Sequence, residues 1–403
     1  MLELLSPAGD YECLEAAVNF GCNAVYLGGK SFGMRAAPKN FDFDQLKQAV
    51  EYAHNNHVKV YLTCNTLPSN DEIEQFPEFI RNADIAGVDA VIVCDLGIMG
   101  MVKKYAPRLE IHMSTQVGIV NYAAAIELYE LGAKRVVLSR EVSIEEIRKI
   151  REKIPADMEI EAFVHGAMCV SFSGRCLLSA YLTGRNANKG ECAQPCRWKY
   201  SLMEEKRPGQ YFPIADDEYG SYILNAKDMC MIEHLDKLAD AGVSSFKIEG
   251  RAKSAYYVAT VTKAYSAALK CIKENREIPK WVLDEVYNVS HREYSTGFYF
   301  GSYDAQEIYD NSGYEHNCDF VGVINGYDNG KVLITQRNYF TLNDDLEILM
   351  PQGEPVKFKP EKLFNSSGDE ITVANRATEK LTAVCDREFP KNSILRRVEK
   401  KNV

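Results

Sequence analysis

The chain has 403 residues, 46% of them hydrophobic and 26% charged, with a formal net charge of −10. That length holds two domains, or one large barrel with an appendage, and the composition excludes extensive disorder. The acidity excludes a general nucleic-acid coat while leaving room for a local basic groove, and no apolar run is long enough to span a membrane.

The first 160 residues alternate strand and helix. LELLSPAG is a short apolar strand closed by Pro7 and Gly9. DYECLEAAVNFG follows as a helix, with Leu14, Ala17 and Val18 on one face and Gly21 as its stop. Next come strand CNAVYLGG and helix FDFDQLKQAVEYAHNN, started by an Asp cap. KVYLTCNT precedes DEIEQFPEFIRNADIAG, where Pro77 is a candidate kink. AVIVCD, a helix through MVKKYAP, EIHMSTQ, NYAAAIELYELG, KRVVLSRE and SIEEIRKIREKI continue the alternation. MEIEAFVHG makes a seventh strand and SSFKIEG an eighth, the latter preceded by helix DMCMIEHLDKLADAG and followed by helix AYYVATVTKAYSAALKCIKE. Continuous Val/Ile/Leu-rich strands belong to a parallel sheet buried on both faces. Seven or eight β–α units, with no G-x-G-x-x-G after any strand, predict an α/β fold: a TIM-like (β/α) barrel over 1–275 rather than a Rossmann-like sheet.

Two segments depart from this rhythm. Residues 166–226 are too long for a simple connection, and they leave the C-terminal end of strand seven, the face on which barrels build active sites. Residues 276–317 are an irregular aromatic linker, whose Trp281, Tyr287, Tyr294 and Tyr299 suit core packing or base stacking. From 318 to 403, six short alternating runs separated by Gly and Pro turns predict a small C-terminal β-barrel. Its Lys357, Lys359, Lys362, Arg396, Arg397, Lys400 and Lys401 are either phosphate contacts or a solvated face with a basic tail.

The insertion carries the strongest chemical signal. Within EAFVHGAMCVSFSGRCLLSAYLTGRNANKGECAQPCRWKY lie Cys169, Cys176, Cys192 and Cys196, spaced x6, x15 and x3. Arg175, Arg185, Lys189, Arg197 and Lys199 surround them, against Glu161 and Glu191 only, in an otherwise acidic chain. Thiols crowded among cations point to a metal-centred site for an anionic substrate. Four thiolates hold tetrahedral zinc or an iron–sulfur cluster. The absence of any C-x2-C knuckle argues against a zinc ribbon, and the irregular spacing suits a cluster, with zinc and unligated thiols as alternatives. Cys230 is a fifth candidate ligand at the predicted start of a helix. The scattered Cys13, Cys22, Cys64, Cys94, Cys271, Cys318 and Cys385 read as small core residues.

Polar residues at predicted strand ends form a second constellation: Asn65, Asp95, Gln116, Arg140, His165, Lys247 and Glu249, with Arg251 just beyond. In a barrel such side chains converge on one mouth. His165, Lys247 and Glu249 are the candidate catalytic groups; Lys247 and Glu249 equally make a structural ion pair. Arg175, Arg185, Arg197, Arg251, Gln116 and Asn65 are candidate substrate contacts. Neither H-E-x-x-H nor G-x-S-x-G occurs. Cys169, four residues past His165, is a conceivable thiol nucleophile with a partner base, but that pairing leaves three neighbouring cysteines without a purpose.

The motifs LSPAGDYECLEAAVNFGCNAVYLGG, FVHGAMCVSFSGRCLLSAYLTGR, CAQPCRW and FKIEGRAKSAYYV resemble the collagenase-like family, number 32 of the unclassified "U" peptidases. The resemblance spans the whole chain, and the stretch from His165 to Cys176 is specific to that family. The ECAQPCRWKY and IADDEYGSYILNAKDM blocks are most similar to its tRNA hydroxylation branch. That resemblance implies formation of 5-hydroxyuridine at the tRNA wobble position, with prephenate as a required metabolite. It also implies a 4Fe–4S cluster on Cys169, Cys176, Cys192 and Cys196, with Cys230 as the alternative fourth ligand. Sister branches imply two other chemistries, hydroxylation of a ribosomal RNA cytidine and of ubiquinone. The expected setting is cytoplasmic, since the first residues show no secretory signal. Expected partners are tRNA, and a related subunit or iron–sulfur delivery proteins. A collagenase-like peptidase is the rival activity, and a non-catalytic RNA-binding protein with the cluster as a staple is a third reading.

Overall fold

The computed structural model describes residues 2–34, 39–169, 176–187, 190–198, 227–301 and 314–399, together with four two-residue strand pieces between 202 and 221. Seven parallel strands come first: β1 Glu3–Ala8, β2 Ala24–Gly28, β3 Lys59–Cys64, β4 Ala90–Val93, β5 Glu110–Met113, β6 Arg135–Val137 and β7 Glu159–Ala167. A short strand, β8 Asp228–Cys230, precedes β9 Ser245–Ile248. β9 pairs in parallel with both β1 and β7, which closes an eight-stranded ring. The expected TIM-like barrel is therefore present, with all eight barrel strands where the apolar runs place them.

Helices cover the ring because each has a start signal and an apolar stripe. Asp10 caps α1 Tyr11–Asn19, and Asp42 with Gln45 forms a capping box on α2 Phe43–Asn55. The run around Pro77 does not kink. It divides into α3 Asn70–Ile73 and α4 Phe76–Ala86, with Pro77 in the first turn of α4, where its missing N–H costs nothing. α5 Leu96–Tyr105 is capped by Asp95, so that residue serves the helix. α6 Tyr122–Glu130 and α7 Ile144–Lys153 complete the regular part. α8 Leu178–Thr183 lies in the cysteine-rich excursion. α9 Leu235–Asp240 and α10 Ala255–Lys273 flank β9.

One expected helix is shortened. Residues 228–230 are not its start; they form β8, antiparallel to the end of β7, with Asp228 opposite Ala167 and Cys230 opposite His165. The linker is also more regular than expected. It holds α11 Lys280–Glu285 and β10 Tyr294–Ser295, which pairs with β8.

The C-terminal module is an eight-stranded antiparallel sheet of half-barrel shape, where six strands were expected. Its strands are β11 Cys318–Asp328, β12 Lys331–Gln336, β13 Leu346–Leu349, β14 Val356–Phe358, β15 Leu363–Phe364, β16 Glu370–Ile371, β17 Lys380–Val384 and β18 Ile394–Val398. The sheet runs β14-β13-β18-β11-β12-β17-β15-β16, so its two end strands are not paired with each other among the described residues. It encloses its own core around Val321, Ile334, Phe340, Phe358 and Leu395.

Arg396 joins this module to the rest. Its buried guanidinium donates to Glu285 of α11 and, at 3.1 Å, to Glu347 of β13. It is thus an internal tether and not a phosphate contact. Arg397 is held by Asp319 at 2.5 Å and Lys362 by Glu370 at 2.9 Å, while Lys357 and Lys359 remain exposed. Lys400 and Lys401 lie outside the described residues.

Candidate active site

The barrel floor is charged. Arg135 on β6 donates to Glu3 at 2.7 Å, to Glu159 at 2.7 Å and to Glu161 at 3.1 Å. Lys247 Nζ lies 2.6 Å from the other oxygen of Glu161 and over the rings of Tyr26 and Phe163. Tyr61 donates to Glu3 at 2.6 Å. Burial alone would raise the Glu161 carboxyl, but Lys247 and Arg135 hold it below the usual range, and Glu3 is lowered likewise by Arg135. Lys247 therefore lies inside the barrel, opposite Leu5 and Phe163, as half of a buried ion pair. Strand periodicity says which way such a residue points, not how deep it sits.

The mouth is built at the ends of β7 and β9. The Glu249 N–H donates to the His165 carbonyl at 2.8 Å. Gly166 has φ +105, and a Cβ there would lie 2.4 Å from the Glu249 carbonyl oxygen, so only glycine allows the two strand ends to meet. The Arg140 guanidinium donates to the Ala167 carbonyl at 3.2 Å, stacks on Phe163 and lies 3.9 Å from the Glu249 carboxylate.

His165 is enclosed. Its Nδ1 lies 3.2 Å from the Tyr265 hydroxyl and its Nε2 lies 3.5 Å from the Tyr294 hydroxyl, with Tyr257 against the ring. Tyr265 gives its own proton to the Val164 carbonyl and Tyr294 gives its proton to Val286, each at 2.8 Å. Both hydroxyls are thus left as acceptors, and the single N–H of a neutral imidazole can donate to one of them. Burial pushes the His165 pKa down to about 3, so the ring is neutral. Tyr257 and Tyr265 stand eight residues apart on α10, close to two helical turns, which puts both on the face turned to β7. That spacing is the signal in the sequence for the tyrosine enclosure, which the strand-end reading did not use.

The cysteines fall into two populations. Cys13, Cys22, Cys64, Cys94, Cys271 and Cys318 are buried, as expected of core residues, whereas Cys385 is half-buried. Burial raises the Cys13 and Cys318 thiols to about 12. Cys169, two residues past the end of β7, is exposed; Cys176, Cys192 and Cys196 are half-buried around α8. The Leu178 N–H donates to Cys176 Sγ at 3.4 Å and the Gln194 N–H to Cys192 Sγ at 3.3 Å. Backbone N–H donors aimed at sulfur are a geometry that cluster-ligating cysteines also use. Gln194 turns the chain between Cys192 and Cys196 with a left-handed φ of 56°. Among the described residues no three cysteine sulfurs lie within 4.8 Å of one another. The donor set is thus all-sulfur and reached by solvent, a chemistry that fits an iron–sulfur centre or a zinc ion. Cys230 sits deeper, beside His165 on the β7–β8 ladder and 3.7 Å from the Tyr265 hydroxyl, and burial raises its thiol to about 11.

The other expected residues lie apart from this cluster. Arg251 is buried, donates to Thr63 at 2.5 Å, and is packed beneath Gly28 and Gly33. Asn65 accepts from the Met34 N–H at 3.2 Å, on the same β3 side. Gln116 is buried in the turn after β5. Arg185 is exposed; Arg175 and the side chain of Arg197 lie outside the described residues. Of the linker aromatics, Tyr299 is buried on the Phe163 carbonyl, Tyr294 serves His165, Trp281 packs on the core, and Tyr287 is exposed.

A closed barrel with a cysteine-rich excursion after strand seven, followed by a separate antiparallel β module, defines a TIM-type class. Residues 9–309 match the model of peptidase family U32 and residues 316–396 match that family's C-terminal domain. The chain belongs to family U32. A tRNA hydroxylation protein of Bacillus subtilis is 34% identical over 98% of this chain and 94% of its own length. A 23S rRNA 5-hydroxycytidine synthase of Escherichia coli is 39% identical over 68% of this chain and 40% of its own length. A protein named collagenase from Porphyromonas gingivalis is 35% identical over 74% of this chain and 73% of its own length. No helix among the described residues is long and apolar enough to cross a membrane.

Proposed function

We propose that this protein is an RNA-modifying enzyme that hydroxylates the wobble uridine of tRNA to 5-hydroxyuridine, with an iron–sulfur cluster at the barrel mouth and prephenate as the required metabolite. The observation that carries the reading is the cysteine set after β7, in which the sulfurs of Cys176 and Cys192 accept backbone N–H groups, in a chain that aligns nearly end to end with a tRNA hydroxylation protein. Cys169, Cys176 and Cys192 hold the cluster together with either Cys196 or Cys230. Hydroxylation at C5 exchanges C–H for C–OH, a two-electron oxidation whose oxygen donor and electron acceptor must come from outside the chain, and a 4Fe–4S centre held by these cysteines would supply one-electron chemistry and an iron of Lewis-acid character.

The chain's own residues prepare the site. The target base enters unpaired, because a stacked base is out of reach of the mouth. Arg175, Arg185 and Arg197 bind phosphates or the carboxylates of the metabolite. Arg140 and Glu249 line the rim, and His165, neutral and enclosed, fixes the end of β7 from which Cys169 projects. The C-terminal sheet offers Lys357 and Lys359 to the RNA backbone. A second reading, hydroxylation of a ribosomal RNA cytidine, is favoured by the 39% identical synthase.

Nucleoside mass spectrometry on a host lacking its own such proteins tests the proposal. Expression of this chain is expected to restore 5-hydroxyuridine in tRNA, and Cys169→Ser is expected not to. The rRNA reading requires hydroxycytidine in the ribosomal fraction instead. Gelatin cleavage abolished by Cys169→Ala, with tRNA unchanged, overturns both in favour of a thiol peptidase.

A further inference from the structure

Beside the cleft between the barrel and the C-terminal sheet lies a second group of metal-ligating side chains, unrelated to the cysteines. His316 Nε2 is 3.4 Å from Asp319 Oδ1 and 3.2 Å from Glu399 Oε1. All three ligand atoms lie within 4.8 Å of one another. We propose that His316, Asp319 and Glu399 form a divalent-cation site on the C-terminal module. The inference does not rest on the hydroxylation reading.

The competing explanation is a pair of ion pairs to a protonated histidine, and the distances separate the two. Nε2 carries at most one proton, yet two carboxylate oxygens approach it. Charge-assisted N–H···O bonds shorten to about 2.7–2.9 Å, and neither contact does so. Ligand atoms bound at about 2.0–2.2 Å to one ion stand roughly 2.9–3.5 Å apart across a tetrahedral or octahedral edge, and both observed distances fall there.

The group is held rigidly. Asp319 is on β11, opposite Arg397 of β18 in the ladder, and Glu399 follows β18 with its N–H on the Asn317 carbonyl at 2.8 Å. Arg397 holds the second oxygen of Asp319 at 2.5 Å, which leaves the first turned to His316. Partners of this kind orient metal ligands. The side chains are 36%, 20% and 44% exposed, so an ion reaches them without opening the fold. His316 and Asp319 also line a cleft of about 240 Å³ shared with Lys253, Ser254 and Phe320. That cleft leaves room for water or an oxyanion to complete the coordination. One imidazole with two carboxylates suits Zn²⁺ or Mn²⁺.

Mn²⁺ is the probe of choice on the full chain as purified, because it prefers oxygen donors and leaves thiolates alone. Titration followed by the electron paramagnetic resonance signal of free aqueous Mn²⁺ is expected to show one bound equivalent in the wild type. His316→Ala and Glu399→Gln are each expected to weaken it by at least about tenfold. Glu399→Gln alters an exposed side chain, and an unchanged thermal midpoint shows that the fold is intact. A wild-type protein that leaves the free-ion signal undiminished at millimolar Mn²⁺, or variants that bind as the wild type does, overturn the site.

Discussion

Lys247 separates a structural from a catalytic account of the barrel, and Lys247→Met tests the difference. In the wild type two cations, Arg135 and Lys247, face three carboxylates, Glu3, Glu159 and Glu161. The substitution keeps the length of the side chain and leaves Arg135 alone against all three. Glu161 is fully buried, so its lost partner is not replaced by water. Breaking a buried pair from one side costs about 3–5 kcal/mol. At roughly 2–4 °C per kcal/mol for a domain of this size, the thermal midpoint should fall by roughly 6–20 °C. Removing both charges in Lys247→Met/Glu161→Leu should recover much of the loss, since the uncompensated charge goes with its partner. The assay is calorimetry of the two single variants and the double variant. A Lys247→Met protein with the wild-type midpoint and no activity would refute the reasoning and return Lys247 to the chemistry.

Three further outcomes follow from the same packing. Glu3 and Glu161 are held below their ordinary value of 4.5 in the folded protein, so the stability they contribute is complete at neutral pH and lost as pH falls below that value. Denaturation followed from pH 7 to 3 checks this, and Glu161→Gln should flatten the acid limb. Glu285→Gln leaves the Arg396 guanidinium with Glu347 alone, and limited proteolysis should then release the C-terminal module before the barrel is cut, at a cost of about 3 kcal/mol or more. Gly166→Ala places a Cβ against the Glu249 carbonyl oxygen at a positive φ and should destabilise by on the order of 2 kcal/mol or more in chemical denaturation; a neutral result would show that the strand ends can part.

The barrel was legible because eight apolar runs of strand length alternate with capped, amphipathic helices, and that pattern depends only on local spacing. β8 was not, since Asp228–Cys230 leads into a helical run and becomes a strand only through its ladder to β7, some sixty residues earlier. Lys247 was identified as facing inward, but its depth follows from the register Leu5–Lys247, which local periodicity does not contain. His165 was singled out by its neighbour Cys169, while its enclosure comes from Tyr265, 100 residues away, and Tyr294, 129 residues away. Arg396 read as a surface cation from its own strand; its role belongs to Glu285, 111 residues earlier. The cysteine set was visible at once because thiols among cations are rare in an acidic chain.

The measurement that bears most directly on the central claim is the metal content of the protein purified without oxygen, read as iron, acid-labile sulfide and zinc per chain, for the wild type and for serine variants at Cys169, Cys176, Cys192, Cys196 and Cys230. A 4Fe–4S centre predicts about four irons and four sulfides per chain. Those should be lost in Cys169→Ser, Cys176→Ser, Cys192→Ser and in one of the variants at Cys196 and Cys230, which names the fourth ligand. Stoichiometric zinc without sulfide, or iron that survives the Cys169 substitution, would contradict the account.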